Sequence, residues 1–426
     1  MRTPSVAEAR RFDPARFESF RFTGRRFDGD TAVLEYSLDD EVEFVERIRF
    51  PGATGAPSEE LLELLHLVAG VSYYKVAAPP VIEAPGSPLL AALYTHGLAE
   101  FAYLNGIALR PRFEAADEGA AAAAPLDLPR RTAVPIGGGK DSIVSLEALR
   151  RAAEPVVAFS VGNPGPIRRT VEVARVEHVV VERELSPNLA ELNAAGALNG
   201  HVPVTAVVSA IACFAAPLYG FDAVAMSNER SASEPSVVAA SGEVNHQWSK
   251  GIGFERLFRD ELAARAPGLD WFSLLRPWSE LAIARAFARD ERYDQAFTSC
   301  NSVFVRDPAR RGAGWCGDCP KCRFVFLAVA PWADPGRLER IFGRNLLDDP
   351  AQVPGFAELI AAERKPFECV GERRESAAAL RLLSESAVWR DAAVVHALAD
   401  PEAPLGDLLE PSSDHFVPER LAHAAI

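Results

Sequence analysis

The sequence predicts an α/β protein with a parallel sheet, an N-terminal α+β domain, a metal-binding insertion and a helical C-terminus. Three observations carry this prediction. Apolar strand-like runs alternate with helix-like segments between 132 and 228, which implies parallel pairing through right-handed crossovers. A glycine-rich turn, Gly137-Gly138-Gly139, stands between the first of these strands and its helix. Ahead of it, the stretch EAADEGAAAAAPLDLP (114–129) is rich in Ala, Gly and Pro and reads as a linker.

The elements follow in order. FESFRFTGRRF and TAVLEYSL alternate apolar and polar residues about the turn Asp28-Gly29-Asp30 and predict a β-hairpin. LLELLHLVAGVSYYKV predicts a helix that runs into a turn capped by Gly70. Beyond the linker, TAVPI (132–136), PVVAFSVG (155–162), HVVVER (178–183) and FDAVAMSN (221–228) read as strands. SIVSLEALRRA, IRRTVEVARV and the apolar stretch 204–219 read as helices between them. From about 350 the pattern is amphipathic and helical, as in SAAALRLLSE and AVVHALAD. A chain of 426 residues has room for two or three domains, placed at 1–128, 129–345 and 346–426.

Charge and composition narrow the function classes. Lys and Arg total 45 against 59 Asp and Glu, a formal charge of −14, which argues against a surface that coats nucleic acid. A local basic pocket for a small anion is still compatible with that balance. The N-terminal residues lack the apolar core of a secretory signal. The most apolar stretch, 204–219, is shorter than a membrane span and contains Pro217, so it is expected to be a buried helix. Of six cysteines, three are crowded together, which suits a reduced, cytoplasmic protein with a metal site better than a disulfide framework. The pattern says nothing of oligomeric state.

Gly137-Gly138-Gly139-Lys140-Asp141-Ser142 lies where a strand gives way to a helix. Glycines let backbone amides turn toward an anion, and the helix N-terminus adds positive partial charge. Ser142 is expected to cap that helix and bond a phosphate oxygen. A Walker A loop is excluded, because position 134 is Val where it needs Gly, and Lys140 is followed by Asp141. A dinucleotide fingerprint fails at its third glycine, which is Ser142, and VVAFSVG supplies no acid for a ribose. A plain strand-to-helix turn with no ligand is the remaining alternative from the residues alone. The loop does resemble the S-G-G-x-D-S loop of PP-loop ATP pyrophosphatases, with Gly137 in place of Ser. That resemblance implies that ATP phosphates are gripped here and that Asp141 helps to hold magnesium.

Two further clusters accompany the loop. Asn228, Glu229 and Arg230 end the fourth predicted strand and form a candidate second wall of the crevice, with Glu229 for magnesium and Arg230 for pyrophosphate or a carboxylate. A surface turn is the bland reading of the same residues. Cys316, Cys319 and Cys322, with Cys300 upstream, offer four thiolates for tetrahedral zinc, and their spacing also suits iron–sulfur ligation. Zinc is favoured because the set resembles the C…C-G-x-C-x-x-C zinc site of 7-cyano-7-deazaguanine synthase, itself a PP-loop enzyme. Cys213, inside an apolar helix, is expected to be core.

Six blocks taken in order sharpen the match: HLVAGVSYYK (66–75), IGGGKDS (136–142), SNERSASE (227–234), HQWSKG (246–251), WCGDCPKCRFVFL (315–327) and KPFECVGE (365–372). Together they are similar to the bacterial UDP-N-acetylmuramoyl-L-alanyl-L-glutamate epimerase family, MurL, over roughly 20 to 375. The resemblance implies a peptidoglycan precursor enzyme that inverts the terminal L-glutamate of UDP-MurNAc-L-Ala-L-Glu. ATP would be consumed and AMP and pyrophosphate released. Inversion without a racemising cofactor calls for an acid/base group on each face of the carbon. His246 and Cys369 are the candidates, with Lys250 and Glu368 behind them. Tyr73, Tyr74 and Lys75 are candidates for touching the uridine diphosphate sugar, or else for an interdomain contact.

Two other classes compete. One is a different PP-loop ligase or amidotransferase, or a tRNA-modifying enzyme; the acidic balance counts against tRNA. The other is a zinc-stabilised nucleotide-binding regulator that performs no chemistry.

Overall fold

The computed structural model describes residues 12–114, 123–240, 242–305, 309, 311–363, 365–424 and 426. Half of the expected linker, 115–122, lies outside the described residues. The chain forms two compact units. One takes the described residues up to Leu126 with Val181–Tyr219 and Glu261–Pro267, and the other takes Asp127–Val180, Gly220–Asp260 and Gly268–Ile426.

The first unit is built on the expected hairpin. Ser19–Asp28 and Thr31–Leu38 pair antiparallel and close at Asp28 and Thr31, with Gly29 at φ +61°, where an L side chain is strained. Val42–Arg49 extends the meander, and Val81–Glu83 adds to its other edge in parallel. The helix Glu59–Ala69 starts at Ser58, whose hydroxyl accepts from the Leu61 N–H. It ends at the C-cap Gly70, as the sequence suggests, but without the left-handed conformation usual for a capping glycine. Gly70 is right-handed helical, at φ −53°, and the chain runs on into the short helix Val71–Tyr74. Glycine is required there for packing, since a Cβ would lie 2.7 Å from the Phe22 ring and from the Tyr94 hydroxyl. The helix Val204–Tyr219 packs against Glu59–Ala69 and carries Pro217 near its end. Cys213 is fully buried within it, and burial pushes its thiol up, as expected of a core residue. Among the described residues no helix is long and apolar enough to cross a membrane.

The second unit holds four parallel strands in the order Asp270–Ser273, Ala223–Met226, Thr132–Pro135, Val156–Val161. Helices Lys140–Arg151 and Gly165–Ala174 follow the strands Thr132–Pro135 and Val156–Val161, in the expected alternation. The apolar side chains Val134, Ile143, Leu146, Phe272, Ile283 and Phe324 belong to one buried core. The strand neighbours of Thr132–Pro135 fix the site. The chain steps to Val156–Val161 on one side and later returns to Ala223–Met226 on the other. The carboxyl end of Thr132–Pro135 is therefore a switch point, where connections diverge and leave a crevice.

Candidate active site

Three adjacent strand ends deliver the site. After Thr132–Pro135 come the glycines, Lys140 and Asp141; after Ala223–Met226 come Asn228, Glu229 and Arg230; after Asp270–Ser273 come Arg276 and Glu280. Gly138 sits at φ +81°, and a Cβ there would lie 2.8 Å from the Pro166 Cβ, so its backbone geometry demands glycine. A Cβ on Gly137 would meet nothing within 4 Å, so the departure from Ser has no steric cause. Gly139 is the N-cap of the helix Lys140–Arg151, with no side-chain cap. The expected Ser142 cap does not form; its hydroxyl instead donates to the Gly139 carbonyl, at 3.1 Å. The reason is position: Ser142 is already inside the first turn, three residues past the N-cap Gly139, and cannot cap its own helix start.

Asp141, Glu229 and Glu280 bring one carboxylate oxygen each to within 4.8 Å of one another. Lys140, almost fully buried, donates to both Asp141 and Glu280. Burial alone would raise Asp141, but Lys140 and Lys321 hold its carboxyl below the usual range. Glu280 goes the other way, pushed up to about 8 by burial and by Asp141, with Lys140 opposing. Among the described residues, Glu229 Oε1 is buried with no hydrogen-bond partner. An orphaned carboxylate oxygen beside two others suits a hard divalent cation such as magnesium.

Cys369, His246 and Lys250 form an adjoining cluster. Burial would raise the Cys369 thiol, but the Lys250 charge, a hydrogen bond with His246 and the Lys321 charge bring it down to about 6. Lys321 also donates to the Cys369 carbonyl. Lys250 is held protonated against the pull of burial by Cys369 first, then by Glu229, Asp141 and Glu280. One ammonium therefore feels both clusters.

Cys300, Cys316, Cys319 and Cys322 place their sulfurs within 4.8 Å of one another, the donor set and spacing of a closed tetrahedral site. Gly317 makes the turn between Cys316 and Cys319 at φ +70°. Cys319 caps the helix Pro320–Val329, and Cys322 lies in its first turn. This is a possible four-cysteine metal site compatible with zinc.

The remaining candidates are placed as follows. Asn228 is buried and donates to the Ser273 hydroxyl at 3.0 Å, tying two strand ends together. Arg230 reaches Asp407 at 3.6 Å, and its buried Nε has no partner among the described residues. Glu368 accepts from Asn301. Tyr73 and Tyr74 are buried in the first unit: the Tyr73 hydroxyl donates to Glu46 at 2.8 Å and the Tyr74 hydroxyl to the Pro79 carbonyl at 3.2 Å. Lys75 donates to Asn199 at 2.6 Å. Glu280, Lys321, Arg276, Glu255 and Glu375 join the second unit's network without a sequence signal. A Glu directly after Ser279 reads as ordinary helix-start chemistry, and Lys321 hides inside the cysteine motif.

Residues 11–274 match the MurL N-terminal domain and 296–409 the MurL C-terminal domain. The chain is 48% identical to a UDP-N-acetyl-alpha-D-muramoyl-L-alanyl-L-glutamate epimerase of Xanthomonas oryzae pv. oryzae, covering 90% of each chain. It is 47% identical to the protein of that name from Salinispora tropica, over 96% of each. A third, from a Micromonospora species, is 47% identical over 96% of this chain and 98% of its own.

Proposed function

This chain belongs to the MurL family, and from that premise we propose that it inverts the terminal L-glutamate of UDP-MurNAc-L-Ala-L-Glu by way of an acyl-adenylate. The second unit is then a PP-loop ATP-binding fold with a zinc-stabilised insertion. The observation that carries the reading is the gathering of the Asp141, Glu229 and Glu280 carboxylate oxygens within 4.8 Å of one another beside the glycine loop, with the Lys250 charge acting on that cluster and on Cys369.

The chemistry needs both clusters. A free α-carboxylate resists loss of the α-proton, because the carbanion would form beside an existing negative charge. An oxygen of that carboxylate attacks the α-phosphorus of ATP, the bond to the β-phosphate oxygen breaks, and pyrophosphate leaves. The mixed anhydride carries no charge on its acyl group, so the α-proton becomes acidic. The amides of the helix start at Gly139, together with Lys140, hold the phosphates. Asp141, Glu229 and Glu280 would hold magnesium, which offsets phosphate charge when bound.

Cys369, held as thiolate by Lys250 and His246, takes the α-proton, and His246 returns one to the opposite face. Their mutual hydrogen bond is the resting state and opens when the α-carbon enters between them. Lys250 and Glu368 stand behind as alternates. Water then attacks the acyl carbon and AMP leaves, so each turnover consumes ATP and water and yields AMP, pyrophosphate and the inverted dipeptide. The lysines Lys140, Lys250 and Lys321 let a chain of net charge −14 accept an anionic substrate.

The test is incubation with ATP, magnesium and UDP-MurNAc-L-Ala-L-Glu, followed by resolution of nucleotides and glutamate stereochemistry. AMP with D-glutamate supports the reading. AMP without inversion points to a ligase, and no AMP removes the adenylation step.

A further inference from the structure

We infer that Arg276, oriented by Glu255, is a positioning residue that fixes the phosphate-activating cluster and the proton-transfer cluster at one spacing. Arg276 is 1% exposed, and its Nε donates to Glu255 Oε2 at 2.9 Å. One terminal nitrogen donates to the carbonyl of Glu229 and the other to the carbonyl of Lys250. Those two carbonyls belong to different loops, one bearing a carboxylate of the acid cluster and the other the ammonium beside Cys369.

Glu255, fully buried, completes the frame: its Oε1 accepts from the Ser273 N–H at 2.8 Å, at the end of the outermost of the four strands. Ser273 in turn accepts from Asn228, next to Glu229. A planar fork of donors can hold two carbonyls and a carboxylate at fixed angles, whereas an ammonium is a point charge without that geometry. Neither arginine nor glutamate reaches the reacting atoms through these bonds, so both act through Glu229 and Lys250. This role rests on the proposed epimerase reading for its kinetic consequences, but its geometric consequence is independent of substrate.

The variants Arg276→Lys and Glu255→Gln test it in the full-length protein. Misplacement by about 1 Å costs roughly 10²-fold in rate. In Arg276→Lys, kcat for AMP release and the rate of α-proton exchange with D2O should therefore both fall by about that factor, with KM for ATP little changed. Glu255→Gln, which keeps an acceptor for the Ser273 N–H, should lie between it and wild type. The substrate-free readout is the rate at which iodoacetamide labels Cys369, resolved by peptide mass. It should drop several-fold in Arg276→Lys as Lys250 moves off the thiolate, at temperatures where circular dichroism shows the variant folded. Unchanged labelling overturns the inference even if the enzyme is active. Slower labelling in Arg276→Lys beside a wild type that releases no AMP keeps the inference and removes the adenylation step.

Discussion

Lys140 donates to Glu280, a partner 140 residues further along the chain, and also to the neighbouring Asp141. The bond joins the glycine loop to the start of the helix Glu280–Phe287, and against its pull burial and the Asp141 charge push the Glu280 carboxyl up to about 8. Its sign sets a stability prediction. A carboxyl raised in the folded state keeps its proton where the unfolded chain has lost it, so folding is favoured below the ordinary carboxylate range and weakens as pH rises toward 8. Without magnesium, the melting temperature of wild type should fall more steeply between pH 6 and pH 9 than that of Glu280→Gln, measured by calorimetry. The same variant should lose AMP release by about 10²-fold. Parallel melting curves would remove Glu280 as the source.

The glycine loop makes a paired prediction. Gly138→Ala forces a side chain into a left-handed position against Pro166, at a backbone cost of about 1–2 kcal/mol, so the loop should move and AMP release should fall more than tenfold. Gly137→Ser meets open space and should keep activity close to wild type. Steady-state AMP assays on both variants check the contrast, and equal losses would mean that loop geometry is not what matters.

Proton transfer should follow Cys369. With its thiol held near 6, the thiolate is present at neutral pH and lost below it. Exchange of the α-proton should drop about tenfold per pH unit once the pH is well below 6. In Cys369→Ser exchange should collapse at all pH values, while AMP formation from ATP survives. Retained exchange in that variant would transfer the role to His246 or Lys250.

The four-cysteine cluster should carry metal. Wild type is expected to hold about one zinc per chain by plasma emission, and Cys319→Ser to lose most of it and melt lower. A red-brown protein with iron and sulfide would instead assign the cluster to iron–sulfur chemistry.

Tyr73 illustrates how burial limits what a motif can say. Its block reads as a candidate sugar contact, yet its hydroxyl is spent on Glu46, which Arg183 also binds at 2.7 Å. Tyr73→Phe takes one donor from a buried carboxylate and should cost about 1–3 kcal/mol in denaturant unfolding.

Local chemistry settled much of this protein in advance. Hairpin alternation about Gly29, the strand-turn-helix at 132–151, the cysteine spacing and the family blocks are all properties of short segments, readable because period, turn chemistry and ligand spacing act over a few residues. The strand Asp270–Ser273 and the residues Arg276 and Glu280 were not legible that way. Nothing local distinguishes Glu280 from a helix-start carboxylate or Arg276 from a surface cation. Only the parallel order, with 132–135 flanked by 223–226 and then 270–273, stacks three strand ends side by side. Removing these charges from water is then what turns ordinary Lys, Glu and Cys side chains into shifted, mutually dependent groups, and desolvation is a property of the packed interior rather than of any segment.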